Sequence, residues 1–407
     1  MIKKYPKYDF VIVGGGLIGS LISILLSRNN FKCCLIERNP YSSDKSITTF
    51  SPLSLNYRTT LILQKFDLWN SSLIEAYPIK KLNIKYFNSL NKLKFSSHDL
   101  DLQYLGYVVN KNLLHKYFID IAKKQKNLDI IDTSVIERLE NTQSKDKCHI
   151  TITNSVSRKS KNIKSNFIIL SDGQKSILRD MLKFRTIQKN YNQTSFMFNC
   201  TAEFDESLAV QLFNENGIFA LIPHSSTKAS IVLTLNNNMQ NIFFNSQNKI
   251  NKIEVEKAFR GYLMNISDEK IISSYEMKTV QAKEIIKDKI MLLGNSSQLI
   301  HPVGAQGFNL GVRNIETIID ACNSEVKEDV SHYIRDLNNA AKKILQDRDK
   351  IFEMTDIATK LFANPKSISK VASSLLVNSL KIIPGTKASF LKKILGLDDC
   401  SYLTIRG

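Results

Sequence analysis

YDFVIVGGGLIGSLISILL, residues 8–26, decides the fold. Residues 8–13 form a short apolar run suited to a buried parallel strand. Gly14, Gly16 and Gly19 then spell G-x-G-x-x-G, and 17–28 read as a helix with an apolar face. FKCCLIE (31–37) is a second buried strand that closes on Glu37, eighteen residues after Gly19. Each part has a physical task. Gly14 allows the tight turn, Gly16 lets backbone approach a pyrophosphate, and Gly19 lets helix and strand pack closely. The helix start offers free N–H groups and a positive dipole end to phosphates. Glu37 is placed to accept ribose hydroxyls, which disfavours a 2′-phosphate, so FAD or NAD fits better than NADP. The alternative is a glycine-rich turn in a nucleotide-free α/β unit.

The chain of 407 residues suggests two or three domains, with 43% hydrophobic and 23% charged residues. The net charge of +18 points to an acidic partner such as an anionic membrane surface, or reflects a composition crowded with Lys, Asn and Ile. The six cysteines show no C-x-x-C or paired spacing, which fits a reducing, cytoplasmic compartment without disulfides or zinc. The histidines are equally scattered, so no metal site is expected. The basic start followed by an apolar run mimics a signal peptide, but Asp9 and the glycines break it. No stretch approaches the roughly twenty apolar residues of a membrane span. The expectation is a soluble protein, or one peripheral at the inner face of the membrane.

Two further stations lie downstream. FIILSDGQKSILRDML (167–182) is an apolar strand, then Asp172-Gly173, then a helix starting near Ser176. GNSSQLIHPVGAQGFNLG (294–311) follows the apolar run 289–293 and leads into a helix over about 308–322. Its small residues let backbone come close to a flat ligand, and the helix N–H groups can face a negatively charged ring edge.

With these three stations the chain resembles the FAD-dependent aromatic-ring hydroxylases of the p-hydroxybenzoate hydroxylase fold. Asp172, Gly173, Ser176 and Arg179 match that family's D-G-x-x-S-x-x-R segment. Gly294, Pro302, Gln306 and Gly307 match its G-D-x-x-H-x-x-x-P-x-x-G-Q-G segment. Asn295 and Gln298, followed by LIHP, resemble the ubiquinone-biosynthesis branch, as do 105–118 and 355–364. Ala305 stands where relatives carry Gly, and Ser51 where an arginine usually precedes the segment, with Arg58 the nearby candidate to replace that charge.

The resemblance implies an α/β (α+β overall) fold with a discontinuous Rossmann-type FAD unit over 1–78, 100–185 and 285–395. An inserted antiparallel substrate sheet would take 79–99 and 186–284, leaving 396–407 as a tail. It implies non-covalent FAD, NAD(P)H as a transient donor, and O₂ addition to give a flavin C4a-hydroperoxide that hydroxylates a polyprenylated methoxyphenol. The cofactor-binding candidates are Gly14, Gly16, Leu17, Ile18, Gly19, Glu37, Arg38, Val135, Asp172, Gly173, Gly294, Asn295, Pro302, Gly304, Ala305, Gln306, Gly307, Phe308 and Asn309.

No residue stands out as a general base. His301 could hydrogen-bond a phenol or simply pack, and His224 is a weaker candidate of the same kind. Phe308, Tyr57 and Trp69 read as core. The basic segment 369–397 reads either as a docked helix pair with a solvated face or as an interfacial surface admitting a lipid-tailed substrate. The alternatives to this function are the same chemistry on another phenol, a related prenyl-chain reductase, or a low-activity flavin-carrying scaffold among other ubiquinone-biosynthesis proteins. Nucleic acid is not expected, since no groove-reading motif appears.

Overall fold

The computed structural model describes residues 5–41, 49–86, 92–140, 148–245, 247, 249–323, 330–362 and 385–398. The chain begins with β1 (Lys7–Val13), α1 (Leu17–Arg28), β2 (Cys33–Ile36), β3 (Pro52–Asn56), α2 (Tyr57–Lys65), β4 (Tyr77–Ile79), β5 (Lys81–Tyr86) and β6 (Lys92–Ser96). Next come β7 (Gly106–Asn110), α3 (Lys111–Ala122), β8 (Leu128–Ile131), β9 (Ser134–Glu140), β10 (Cys148–Asn154), β11 (Ser160–Leu170) and α4 (Ile177–Met181). The strand-rich middle holds β12 (Thr186–Glu203), β13 (Leu208–Asn214), β14 (Gly217–Pro223), β15 (Lys228–Asn236), α5 (Gln240–Phe243), α6 (Lys252–Ala258) and β16 (Met264–Ala282). Short β17 (Ile286–Lys287), β18 (Ile290–Leu292) and β19 (Gln298–Leu299) lead into α7 (Gln306–Cys322), α8 (Val330–Phe362) and α9 (Thr386–Leu395). The first helix expected in 369–397 and most of the tail from 399 onward lie outside the described residues.

One eight-stranded sheet runs β17-β18-β11-β1-β2-β8, with β10 and β9 continuing from β11. β18, β11, β1, β2 and β8 are mutually parallel. Their residues are apolar without alternation because helices cover both faces; Val11, Ile12, Cys33, Cys34, Ile168 and Ile169 are fully buried. Val13 pairs with Leu170, and Leu170 with Leu292. The carboxyl ends of these three strands are therefore level with one another.

The second eight-stranded sheet runs β19-β16-β12-β15-β14-β13-β5-β6. Its strands alternate. Phe198, Cys200, Phe219, Leu221, Ile231 and Leu233 pack on Phe243, Val255 and Phe259 of α5, α6 and the following turn. The residues between them, Met197, Asn199, Ala220, Ile222, Val232 and Thr234, turn to the opposite face. β19 belongs to the stretch expected to serve the flavin, yet it pairs with β16 through Leu299 opposite Val280 and Gln298 opposite Gln281. Those two residues stitch the loop to the antiparallel wall. β3, β7 and β4 form a small third sheet.

Candidate functional site

The three stations meet because they are the exits of three neighbouring parallel strands. Ser171, after β11, donates its N–H to Val13 O and its hydroxyl to Gly14 O at 2.8 Å. Leu293, after β18, donates its N–H to Leu170 O. Carboxyl ends of parallel strands are where α/β sheets bind ligands, since loops there can diverge and helices begin.

The glycines divide into two kinds. A Cβ on Gly14 would stand 2.6 Å from Asp172 Cα, and one on Gly19 would stand 1.8 Å from Gly14 O. These glycines exist for protein packing. Cβ atoms on Gly16, Gly173 and Gly307 would meet nothing within 4 Å. These face open space, one at each station. α1 starts at an extended Gly16 with no side-chain cap and no acid in its first turn, so its leading N–H groups are free for an anion. Leu17 and Ile18 begin that helix, and Ile18 lies within 3.4 Å of Cβ positions on both Gly294 and Gly311.

At the second β-strand's exit, Glu37 Oε2 accepts the Gly15 N–H at 2.6 Å and Oε1 accepts the Asn39 N–H. Glu37 O also accepts the Ser134 N–H, which brings exposed Val135 beside this corner. Arg38 is exposed, and its charge reaches Asp172.

Burial raises the Asp172 carboxyl, opposed by Ser176 and by the charges of Arg179 and Arg38. Its Oδ1 is enclosed without a hydrogen-bond partner in the protein, an acceptor suited to a bound hydroxyl. Ser176 caps α4 by accepting the Arg179 N–H. The Arg179 guanidinium, buried, donates to Ser296 O and so ties the second station to the third.

In the third station Gly294 has φ +66, and Asn295 is exposed beside it. Gly304 and Ala305 are consecutive left-handed residues, φ +71 and +52. This double turn brings α7 in with no side-chain cap and no acid in its first turn. The N–H groups of Gly307 and Phe308 have no intrahelical acceptor. The Asn309 side chain accepts the Asn56 N–H and donates to Ser54 O and Ala305 O, so it holds β3 against the loop.

His301 is 1% exposed, accepts the Val303 N–H at Nδ1 and lies 3.4 Å from Gln193 Oε1. The first contact places its proton on Nε2, facing β12. Burial and the Lys189 charge lower its pKa to about 4, so it is neutral near pH 7. His224 stacks on Phe50 at 4.0 Å, and burial lowers it likewise to about 4. Arg58 does not replace an arginine near Ser51. Its guanidinium pairs with Glu316 of α7 at 2.7 Å, alongside Lys65.

Three residues with no individual motif complete the first station. Tyr41 Oη would lie 1.5 Å from a Cβ on Gly15, so any larger residue there would have to displace the tyrosine ring. His115 Nε2, from α3, hydrogen-bonds Gly15 O at 2.7 Å, and Ser20 Oγ donates to the same carbonyl. Tyr41 and His115 lie far from Gly15 in sequence, and only the packing of α3 on α1 brings His115 there.

The fold and these stations define a dinucleotide-binding α/β protein with an antiparallel wall beside its flavin loop. The FAD binding domain family matches residues 7–328, and the chain belongs to that family. Among curated relatives, a mitochondrial ubiquinone biosynthesis monooxygenase of Dictyostelium discoideum is 21% identical over 78% of this chain and 76% of its own. A ubiquinone hydroxylase of Neisseria meningitidis is 21% identical over 95% of this chain and 84% of its own. The 3-demethoxyubiquinol 3-hydroxylase of Escherichia coli is 21% identical over 77% and 78%. The p-nitrophenol 4-monooxygenase of Pseudomonas putida shares the fold, with TM-score 0.78 at 14% identity over 97% of this chain and 99% of that one. So does an anhydrotetracycline hydroxylase of Streptomyces rimosus, with TM-score 0.67 at 16% identity over 96% and 76%.

Proposed function

We propose that this protein is an FAD-dependent monooxygenase that hydroxylates the ring of a polyprenylated methoxyphenol in ubiquinone biosynthesis, as in 2-polyprenyl-6-methoxyphenol hydroxylase. The observation that carries it is the meeting of three open glycine stations at adjacent parallel strand ends, beside an antiparallel wall. Several relatives named above are ubiquinone hydroxylases or monooxygenases, which supports the substrate class.

In this reading the uncapped start of α1 takes the pyrophosphate, Glu37 the adenosine ribose, and Asp172 a ribityl hydroxyl. Residues 302–308 line the flavin, Val135 and Arg38 flank the adenosine end, and Asn295 flanks the ribityl chain. FAD supplies the oxygen-activating chemistry, and NAD(P)H supplies the electrons. The FAD unit then comprises 1–78, 100–185 and 285–395, with 79–99 and 186–284 as the substrate unit. The start of α7 presents N–H groups and a positive dipole end to the flavin's pyrimidine edge, favouring negative charge there. Met197, Ala220, Ile222 and Val232 offer an apolar face for a prenylated ring, which holds the ring in place and excludes water. The phenolic oxygen enriches the para carbon, so that carbon is the position attacked.

Product made under ¹⁸O₂ should carry the label, and product made in labelled water should not; label from water would exclude this chemistry. Cells lacking the protein should accumulate the prenylated methoxyphenol. Normal ubiquinone without a redundant hydroxylase would remove the substrate assignment.

Among the described residues no helix is long and apolar enough to cross a membrane. The +18 charge supports peripheral binding to an anionic surface. Flotation with anionic liposomes should succeed at 0.1 M salt and fail at 1 M, as the Debye length falls from about 10 to about 3 Å. Absence of binding at low salt would leave composition as the only source of the charge.

A further inference from the structure

We propose that the C-terminal helix α9 sets the electronic environment of the flavin through one positioning residue, Gln306. Gln306 is the first residue of α7 and is 1% exposed. Its Nε2 donates to Gly304 O at 3.1 Å and to Ile394 O at 3.2 Å. The first bond closes the left-handed turn of the flavin loop. The second reaches the last turn of α9, where carbonyls lose their intrahelical partners.

The neighbouring carbonyls of that turn are already used: Lys392 O accepts Leu397 N–H and Lys393 O accepts Gly396 N–H. Gln306 thus satisfies the next carbonyl in the series and caps α9 from the flavin loop. α9 is also fixed to the wall. Leu391 and Leu395 are buried in one cluster with Phe95, Phe213, Ile218 and the loop residue Val303. Lys387, read from sequence as part of a solvated basic face, is paired with Asp99 at 2.7 Å. Beyond the helix, Gly396 at φ +74 lies against Arg313 of α7; a Cβ there would stand 2.6 Å from Nη1.

The consequence concerns where α7 points. Its leading N–H groups stabilise negative charge only if the helix start is aimed at the flavin edge, and dipole effects fade within one turn. Gln306 is the side chain that locks that start to α9. Removing its two donors while keeping its shape frees the turn and weakens stabilisation of the reduced, more negative flavin. By linkage, reduction of the bound FAD must in turn stabilise the docked state of α9.

The test compares holoprotein of wild type, Gln306→Met, Gly396→Ala and the double variant. FAD-loaded Gln306→Met should favour the reduced form about tenfold less, lowering the two-electron potential by about 30 mV. Gly396→Ala, which disturbs the seat of α9, should shift it the same way, and the double variant should add nothing further. Hydrogen exchange over 386–395 should slow when the FAD bound to the wild type is reduced, and not in Gln306→Met. An unchanged potential in FAD-loaded Gln306→Met overturns the proposal, as does wild-type exchange indifferent to flavin reduction. Should Gln306→Met fail to fold, the potential of Gly396→Ala decides in the same way.

Discussion

The two eight-stranded sheets present their chemistry differently. The parallel sheet exposes backbone N–H groups and bare glycines at its strand ends. The antiparallel sheet presents a face, where side chains of β12 meet the loop and the segment before β3: Gln193 lies against His301 and Asn199 donates to Phe50 O. A site made of backbone favours Gly at fixed spacings, so it marks the sequence. A site made of side chains on a face needs only an alternation that any half-buried strand would show.

The difference is sharpest between two glycines of the first station. Gly14→Ala adds a Cβ at φ +95 and 2.6 Å from Asp172 backbone, so it should destabilise even the apoprotein by about 2–4 kcal/mol. Gly16→Val meets open space and an ordinary φ of −68, so the apoprotein should keep its Tm while losing all flavin. Thermal melts and visible absorption of the two variants would separate packing from ligand glycines. Stoichiometric flavin in Gly16→Val would dissolve the distinction.

The wall and its margins hold two buried histidines, and here pH is the lever. His224 and His301 are lowered by burial from 6.5 to about 4. The unfolded chain therefore takes up protons that the folded protein refuses. Stability is intact above about 6.5 and falls as pH drops from there toward 4, by about 3 kcal/mol per histidine. Replacing either with Phe should flatten the fall of Tm across that window. An unaltered slope in both variants would mean that neither ring is neutral in the folded state.

Arg58→Met tests the frame that carries the parallel sheet's helices. Two cations outweigh burial to hold Glu316 below its ordinary carboxyl value, so the cluster stabilises the protein above that value and its contribution is lost on acidification. Removing Arg58 leaves Lys65 alone, at a cost of about 2 kcal/mol at neutral pH that shrinks in acid. A chemical-denaturation series carried from pH 7 to well below 4.5, the ordinary glutamate value, measures it; a cost independent of pH across that range would point to packing alone. The smallest effect should come at Ala305. Its φ of +52 suits glycine, so Ala305→Gly should stabilise the protein by less than about 1 kcal/mol, because relieved strain is offset by a more flexible unfolded chain. A loss of stability there would show that the alanine methyl contributes contacts that outweigh the strain.

The sequence by itself determined four of the five parallel strands, the tight turn at Gly14, the close packing at Gly19, and the helices that start after each station. Each of these rests on local geometry: a turn, a close approach, or a run of apolar residues buried on both faces. Strands of the wall were legible too, from their alternation. The sequence could not show that Gly15 is closed in by Tyr41 and His115, or that Asn309 spends its side chain on β3 and the loop. Nor could it pair Arg58 with Glu316 or Gln306 with α9. Those contacts join residues up to hundreds of positions apart. They depend on how helices dock once the sheets exist, and no spacing along the chain records that distance in space.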